Sequence, residues 1–495
     1  KKTDTHSSKM PFREKIGEEN KVSKCCLPLR NYFDFRNRGN TTFGHEIKAG
    51  IITFLTLSYT IIINAQILGM AGVAPEDCIL ATTLSCALGS LVVGAIGNLP
   101  FGCGPGIGLS AYLAYGLVHP AIQTKQQGFA SCLVVGLLVG LCALTGLGQR
   151  LLQLVPRAVK LGIIVGMGLQ ITLIGLKYAG LVVANETSLV ALGDVYNSSV
   201  WVTLAGLVLT GTLLYFQVAG SLLIGVTLCT LCIWWVDGSW PDAIAQWPSV
   251  STQVANTFDL TALTPGCIGG IAAMLLVELT DISGTAFGLG GLAGVMDRQG
   301  SVAREVWGSI GCGLATMLGA LLGCSPINIG IESAAGIKQG GRTGLSAVVA
   351  GILFLVPAFF APLLASVPQA ATASTLILIG AVMMSESKNI AWSDMAHAIP
   401  AYITIMMMAF TFSVSNGIWF GMGSAGILYI TTGDFLHRFP FQGQRRYSSF
   451  NQATSPLIDD TQGAVRHPAL LISKDDADKY DIDTDEASKR QRFLS

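Results

Sequence analysis

Long stretches without a single charged residue alternate with short polar segments along most of the chain. These stretches lie between Asp77 and Lys125, Asp194 and Asp237, Arg342 and Glu386, and Asp394 and Asp434. Each is long enough for two apolar helices of about 20 residues, the length that crosses a lipid bilayer. The pattern therefore predicts an all-α polytopic membrane protein.

About fourteen membrane spans account for the apolar stretches. The third span is short and follows Pro105, and the tenth is short and follows Pro326. We expect five segments: a cytoplasmic tail (1–48), a first repeat of seven spans (49–236), an extracellular loop (237–262), a second repeat of seven spans (263–433) and a second cytoplasmic tail (434–495).

Composition supports a membrane protein and excludes several other classes. Hydrophobic residues make up 51% of the 495 residues and charged residues only 12%, against about 25% charged in soluble domains. The formal net charge is zero, so no overall field favours a nucleic acid partner. The sequence contains no metal-ligand cluster, nucleotide-binding loop or catalytic triad, so we expect no cofactor, no metal and no catalytic residue.

The positive charges predict the orientation. With a cytoplasmic N-terminus, Arg and Lys fall mostly in inward loops, as the positive-inside rule requires, and both termini are then cytoplasmic. Asn185 and Asn197 begin glycosylation sequons that fall outside on this topology. We therefore expect an integral protein of the plasma membrane, surrounded by membrane lipid.

Two broken apolar stretches repeat the same pattern. The sequence FGCGPGIGLSAY (101–112) is echoed by LGCSPINIGIESA (322–334), at a matching place in the second half. Because each half has seven spans, an odd number, the second half must enter the membrane from the opposite side. Inverted repeats with broken helices are typical of secondary transporters. Close packing of glycine-rich helices is the alternative, but it does not account for two proline breaks in register.

Three carboxylates lie within or beside the apolar segments: Glu278, Asp281 and Glu332. A charged side chain at membrane depth costs about 2.5–3.5 kcal/mol on insertion scales, so it indicates a functional site. Glu278 and Asp281 are three residues apart and share one helix face. The alternative is that these acids pair with Lys177 or Lys338 and hold helices together.

A carboxylate beside a helix break suits one kind of substrate. It can accept N–H bonds from a planar heterocycle such as a nucleobase, while free N–H groups at helix starts can bind ring nitrogens and carbonyl oxygens. A membrane-buried carboxylate can also carry a proton with the substrate.

At these residues the chain resembles the AzgA-type purine transporters of the nucleobase–ascorbate transporter superfamily. The resemblance rests on GPGIGLSAY (104–112), VELTDISGTAFGL (277–289) and SPINIGIESAAGIKQGGRTGL (325–345), within a likeness that runs from about residue 36 to 433. It implies fourteen membrane spans in two inverted repeats of seven, divided into core and gate domains. It also implies proton-coupled import of adenine, guanine and hypoxanthine by an elevator-like movement, in a homodimer.

The resemblance assigns roles to individual residues. Glu332 matches the family's essential glutamate, and Asp281 matches an aspartate linked to purine recognition. Glu278 stands where the family usually has Asp, and Ser110 where it usually has Asn, which supplies both a donor and an acceptor. These departures leave the preferred purine open.

The predicted substrate-binding residues are Glu278, Asp281, Glu332, Ser110, Asn328, Phe287, Gly108 and Ile327. Glu332 and Glu278 are the predicted proton-coupling residues. An aromatic ring such as Phe287 can stack on a purine, although aromatic residues near helix ends more often serve packing. Asn64, a polar residue inside the first span, either lines the site or hydrogen-bonds a neighbouring helix.

The leading hypothesis is a proton-coupled purine importer. One alternative is an anion exchanger of the same inverted-seven fold, against which the three acids argue, and another is a transporter of a different purine-like heterocycle. A channel or a membrane enzyme belongs to a different class. An enzyme would need a nucleophile–base pair or a metal site, and the sequence shows neither.

Overall fold

Helices form nearly all of the ordered architecture. The computed structural model describes residues 32–33, 41–118, 122–185, 187–241, 243–248, 261, 263–297, 302 and 304–431. The predicted C-terminal tail (434–495), most of the predicted N-terminal tail and much of the predicted loop at 237–262 lie outside these residues.

The first half of the chain contains nine helices within the described residues. They are α1 (Phe43–Leu57), α2 (Tyr59–Gly69), α3 (Pro75–Leu91), α4 (Ile107–Ala111), α5 (Lys125–Thr145), α6 (Leu147–Leu154), α7 (Arg157–Tyr178), α8 (Ser198–Tyr215) and α9 (Ser221–Asp237). Helix α3 continues as a π-helical turn (Val92–Ile96), and α4 continues in the same way (Tyr112–Val118). Strand β1 (Cys103–Pro105) precedes α4, and β2 (Val182–Asn185) pairs with β3 (Leu189–Leu192).

The second half begins with a 3₁₀ turn (Pro265–Cys267). The helices that follow are α10 (Ile268–Ala293), α11 (Glu305–Leu322), α12 (Ser333–Lys338), α13 (Gly344–Leu353), α14 (Ala361–Ala365), α15 (Gln369–Met384), α16 (Met395–Thr411) and α17 (Val414–Thr431). Strand β4 (Ile327–Ile329) lies between α11 and α12. Further 3₁₀ turns precede α14 (Val356–Phe360) and follow α15 (Ser385–Asn389).

Local sequence sets where these helices begin and end. The side chain of Thr42 accepts a hydrogen bond from the backbone N–H of His45 and caps α1, which therefore starts inside the predicted tail 1–48. Thr124 and Gln127 form a reciprocal capping box at the start of α5. Gly146, with a φ of 68°, ends α5 and lets the chain turn into α6.

The membrane character predicted from the sequence is confirmed. Within the described residues, nine helical segments are long and apolar enough to cross a bilayer, and three shorter apolar helices accompany them (Ile107–Val118, Ser221–Asp237 and Met395–Thr411). The number fourteen stays a prediction, as do the boundaries of the two repeats.

The two predicted breaks meet each other inside the bundle. Strands β1 and β4 pair in antiparallel fashion, with Gly104 opposite Asn328. The pairing is extended at both ends, where the N–H of Gly106 donates to the carbonyl of Pro326 (3.1 Å) and the N–H of Gly330 donates to that of Gly102 (2.9 Å). Antiparallel pairing of equivalent segments is the geometry that an inverted repeat requires.

The spanning helices pack in two groups. In the first group, α5 and α3 pack on α11, α13 packs on α1 and α3, and α10 packs on α5. In the second group, α7 packs on α15 and α16, α16 packs on α17, and α8 packs on α9 and α15. The strand pair lies with the first group, in contact with α3, α10 and α11.

Glycines allow a close approach within the first group, between α5 and α11. A Cβ atom on Gly136 would lie 2.8 Å from the carbonyl oxygen of Gly313, and one on Gly313 would lie 2.7 Å from that of Gly136. Both obstacles are backbone atoms, which cannot swing aside as a side chain can. Only glycine therefore fits at this crossing.

A matched pair of glycines on α5 tests this crossing. We expect Gly136→Ala to lower the thermal unfolding midpoint of the detergent-purified protein, because overpacking costs about 1–3 kcal/mol. Gly140→Ala is the control, since a Cβ there meets no atom within 4 Å. It should leave the midpoint unchanged or raise it, because alanine favours a helix over glycine by about 0.5–1 kcal/mol. Equal midpoints for the two variants would contradict the close crossing.

Candidate functional site

A cluster of polar side chains surrounds β4 where it faces α10. One carboxylate oxygen of Asp281 accepts a hydrogen bond from the side-chain amide of Asn328 (Nδ2 to Oδ2, 3.2 Å). Glu278, one turn earlier on α10, is completely buried, and its Oε1 accepts from the hydroxyl of Thr316 on α11 (2.9 Å). The same hydroxyl accepts the N–H of Ile327 (2.9 Å). Thr316 therefore joins the Glu278 carboxylate to the backbone of β4.

Two buried oxygens in this cluster have no hydrogen-bond partner among the described residues. They are Oε2 of Glu278 and Oδ1 of Asn328. A buried acceptor that stays unpaired costs about 1–3 kcal/mol, so each gains from a donor that reaches it. The cluster can thus accept N–H groups and, on a carboxylate, a proton.

Glu332 belongs to a different part of the site, at the start of α12. The phenol of Tyr59 on α2 donates to its Oε1 (2.5 Å), and the hydroxyl of Thr56 donates to its backbone carbonyl (3.3 Å). Glu332 lines a cavity of about 330 Å³, within the usual range for small-molecule sites. We call this cavity the α12 cleft; its other lining residues are Thr56, Leu214, Gln217, Val218, Ala219, Gly220, Ser221, Leu222, Ala335, Lys338 and Gln339.

Ser110 lies in a polar network behind the strands. Its hydroxyl donates to Oδ1 of Asn64 (2.7 Å) and lies 2.8 Å from the hydroxyl of Ser325, which also donates to Asn64 (2.9 Å). The amide of Asn64 donates to Thr82 on α3 (2.8 Å). All four side chains are buried. Asn64 therefore bonds a neighbouring helix, which was one of the two roles expected for it.

The remaining sequence-predicted residues, Ile327, Phe287 and Gly108, do not line the α12 cleft. Ile327 is fully buried, and Phe287 is partly buried on α10. A Cβ atom on Gly108 would lie 2.6 Å from the sulfur of Met167 on α7, so glycine lets α4 pack against the second helix group. The structure thus brings Glu278, Asp281, Asn328 and Ile327 together. It places Glu332 separately, at the start of α12 on the wall of the α12 cleft.

A further network, not foreseen from the sequence, joins the two helix groups near the C-terminal ends of α2 and α7. The amide of Gln66 on α2 donates to the carbonyl of Val367 (3.0 Å), and the hydroxyl of Thr372 on α15 donates to Oε1 of Gln66. The phenol of Tyr178 on α7 donates to the backbone carbonyl of Gln66 (3.4 Å), and its oxygen lies 3.1 Å from the phenol oxygen of Tyr115. We call this set the Gln66 network.

Some of these residues were within reach of sequence reasoning and others were not. Ser325 belongs to the repeated Gly-Cys-small-Pro pattern, so the repeat pointed to it. Thr316, Tyr59 and Tyr178 carry no local signal, because other polar residues occur in the same helices and nothing in the sequence distinguishes these from them. Their role becomes visible only when a second helix supplies the partner.

Comparison with known proteins agrees with this architecture. A family described as "Permease family" matches residues 44–419. The adenine permease AdeP of Escherichia coli is 35% identical over 408 residues, which cover 82% of this chain and 91% of that protein. The guanine/hypoxanthine permease PbuO of Bacillus subtilis is 32% identical over 409 residues, which cover 81% and 94%.

Among solved structures, the transmembrane domain of the cyanobacterium bicarbonate transporter BicA has the same fold. The TM-score is 0.60 at 15% identity, and the match covers 79% of this chain and 98% of that one. An identity this low establishes the fold alone.

The fold is that of an integral membrane protein, and the relatives are permeases and not enzymes. The chain belongs to the permease family that matches residues 44–419, within the nucleobase–ascorbate transporter superfamily.

Thr316 offers a test of the cluster around β4. Thr316→Val keeps the shape of the side chain but leaves a carboxylate oxygen and the N–H of Ile327 unpaired. We expect a loss of about 1–3 kcal/mol in stability, seen as a lower thermal unfolding midpoint of the purified protein. Thr316→Ser keeps the hydroxyl and should stay close to the unmodified protein; a valine variant as stable as the serine variant would show that the bridge is unimportant.

Proposed function

We propose that the protein is a secondary active transporter of the AzgA type that imports purine nucleobases together with protons. The observation that carries this proposal is the pair of carboxylates at the broken spans, Glu278 buried and Asp281 half-buried, in a chain whose relatives are named adenine and guanine/hypoxanthine permeases. Purines present ring and exocyclic N–H groups, and carboxylates accept such donors. Burial in a site that excludes water strengthens each of these bonds.

In this proposal the substrate site comprises Glu278, Asp281, Glu332, Ser110, Asn328, Phe287, Gly108 and Ile327. The free acceptors on Glu278 and Asn328 supply hydrogen-bonding capacity for the substrate. Glu332 and Glu278 carry the coupled proton. Glu332 suits this role because it touches both the α12 cleft and a donor, the phenol of Tyr59.

An anion exchanger is the weaker candidate, although BicA is named a bicarbonate transporter. An anion would be repelled by the carboxylates of Glu278, Asp281 and Glu332 in their charged form. A neutral heterocycle with N–H donors meets no such penalty. The preferred purine is left open by Ser110 and Glu278, the two departures from the family pattern.

Two features at opposite ends of the molecule support alternating access. The α12 cleft is open at one end of the boundary between the helix groups, while the Gln66 network joins the same groups at the other end. On the proposed topology, with both termini in the cytoplasm, the cleft opens inward and the network closes the outer side. Elevator-like movement of one group against the other, in a homodimer in the plasma membrane, would reverse this arrangement.

Uptake measurements test the proposed function. We expect labelled hypoxanthine to enter cells that express the protein, faster at acidic than at neutral external pH, and to be displaced by adenine or guanine. Glu332→Gln should lower this uptake about ten- to hundredfold, which corresponds to the ~1.5–3 kcal/mol of a hydrogen bond to a charged group. The protein should remain in the membrane at its normal level.

Glu76→Gln on α3 is the matched control, because this carboxylate is exposed. It should transport like the unmodified protein. Proton-driven uptake that persists in Glu332→Gln would remove Glu332 from the coupling mechanism, and the absence of any purine uptake by the unmodified chain would refute the substrate.

Tyr178→Phe tests the outer closure. This variant loses the bonds to Gln66 and Tyr115, so the outer side should open more often, by about two- to tenfold for the 0.5–1.5 kcal/mol that one hydrogen bond contributes. The measurement is the labelling rate of a reporter, Thr60→Cys, by a membrane-impermeant maleimide added outside. Thr60 is buried on α2 between the network and the strands.

The exposed Cys232 is first replaced by serine so that the reporter dominates the signal. Tyr402→Phe, a phenol removed from an exposed position, is the control. If both phenylalanine variants label at the same rate as the unmodified protein, the Gln66 network does not close the outer side.

A further inference from the structure

The short helix α6 connects α5 of the first helix group to α7 of the second. Its sequence is LGQRLLQL. An α-helix turns by about 100° per residue, so Leu147, Leu151 and Leu154 lie along one edge. Gly148 and Leu152 extend this edge on one side, and Gln149, Arg150 and Gln153 form the remaining, polar side of the helix. The helix is therefore strongly amphipathic.

One part of the apolar side packs against the protein. Gly148 is buried, and a Cβ atom there would lie 3.4 Å from the side chain of Leu279 on α10. Leu279 directly follows Glu278. A helix that links the two groups thus touches the helix that carries two of the proposed site carboxylates.

Two of the three leucines on this edge are exposed, whereas Leu151 is partly buried and packs on the core of the protein. Leu154 is 74% exposed and Leu147 is 45% exposed, and Leu144 at the end of α5 is 69% exposed. Because α6 joins the ends of two membrane spans, this edge lies at the level where the bilayer begins. Lipid acyl chains are the apolar surface available there.

The charged residues of α6 and of the chain on either side of it all have the same sign. Between residues 126 and 176 the chain contains three charged residues, Arg150, Arg157 and Lys160, and no acid. Arg150 and Arg157 are exposed. Exposed leucines next to exposed arginines are the pattern of a helix that lies in the membrane surface and attracts anionic headgroups.

We propose that α6, with Arg150 and Arg157, binds anionic phospholipid at the membrane surface. Because α6 packs on α10 beside Glu278, the bound lipid steadies the connection between the two helix groups and thereby sets the transport rate. The binding part needs no assumption about the substrate. The proposed effect on the transport rate rests on the proposed purine transport and on the predicted topology, which places α6 on the cytoplasmic side of the membrane.

The first experiment measures binding alone. The full chain is purified from vesicles that contain equal amounts of phosphatidylglycerol and phosphatidylcholine, and the retained lipids are quantified by mass spectrometry. We expect phosphatidylglycerol to be enriched, and Arg150→Gln or Arg157→Gln to weaken its binding about fivefold each, as expected for one cation near an anionic surface. Lys48→Gln, which removes an exposed cation from the predicted cytoplasmic side on α1, a helix that packs on α12 and α13, should keep the enrichment.

Equal retention of phosphatidylglycerol by the arginine variants and the control would overturn the proposal. So would efficient disulfide formation between two copies of a Leu154→Cys variant, because the leucine edge would then face a second copy of the chain.

The second experiment compares purine uptake by proteoliposomes with and without phosphatidylglycerol. Enriched lipid with an unchanged uptake rate would refute the effect on rate, whereas absent uptake in both would point to failure of the proposed substrate.

Discussion

The pairing of β1 with β4 is the interaction on which the rest of the structure depends. In a bilayer no water is available to satisfy exposed backbone groups, so two broken helices are tolerable only if each supplies the other's hydrogen bonds. The register that sets Gly104 against Asn328 does this. It also fixes the positions of Asn328 and of the N–H of Ile327, and hence of everything bonded to them. A polar site in the interior of the bundle is a direct consequence.

Around this strand pair the polar groups divide into layers with different tasks. Asn64, Ser110 and Ser325 bond to one another, with Thr82 beyond them, and they stabilise the back of the strands. Glu278 and Asp281 on the other side bond through Thr316 and Asn328 and keep two acceptors free. Hydrogen-bonded chains of this kind hold each carboxylate in one orientation, which the proposed recognition of a heterocycle requires.

The sequence revealed the breaks but not their partners. Two prolines in matching apolar stretches predicted both interruptions, because proline cannot continue a helix ladder. The membrane class followed from charge-free stretches, whereas the number of spans depends on how short broken segments are counted and stays a prediction. Thr316 and Gln66 could not be foreseen, since a polar residue in an apolar helix has meaning only through the neighbour it meets. Ser110 was singled out by family resemblance, and only the structure shows that its hydroxyl is bonded to Asn64 and Ser325.

Gly108 carries a consequence for how variants of this protein are interpreted. The atom that a larger side chain would strike there is the sulfur of Met167, on a helix of the other group. Its size limit is therefore imposed by the surface along which the two groups meet, independently of any ligand. A larger side chain at position 108 has to displace Met167, so a selection for altered specificity that samples this position measures helix packing together with recognition.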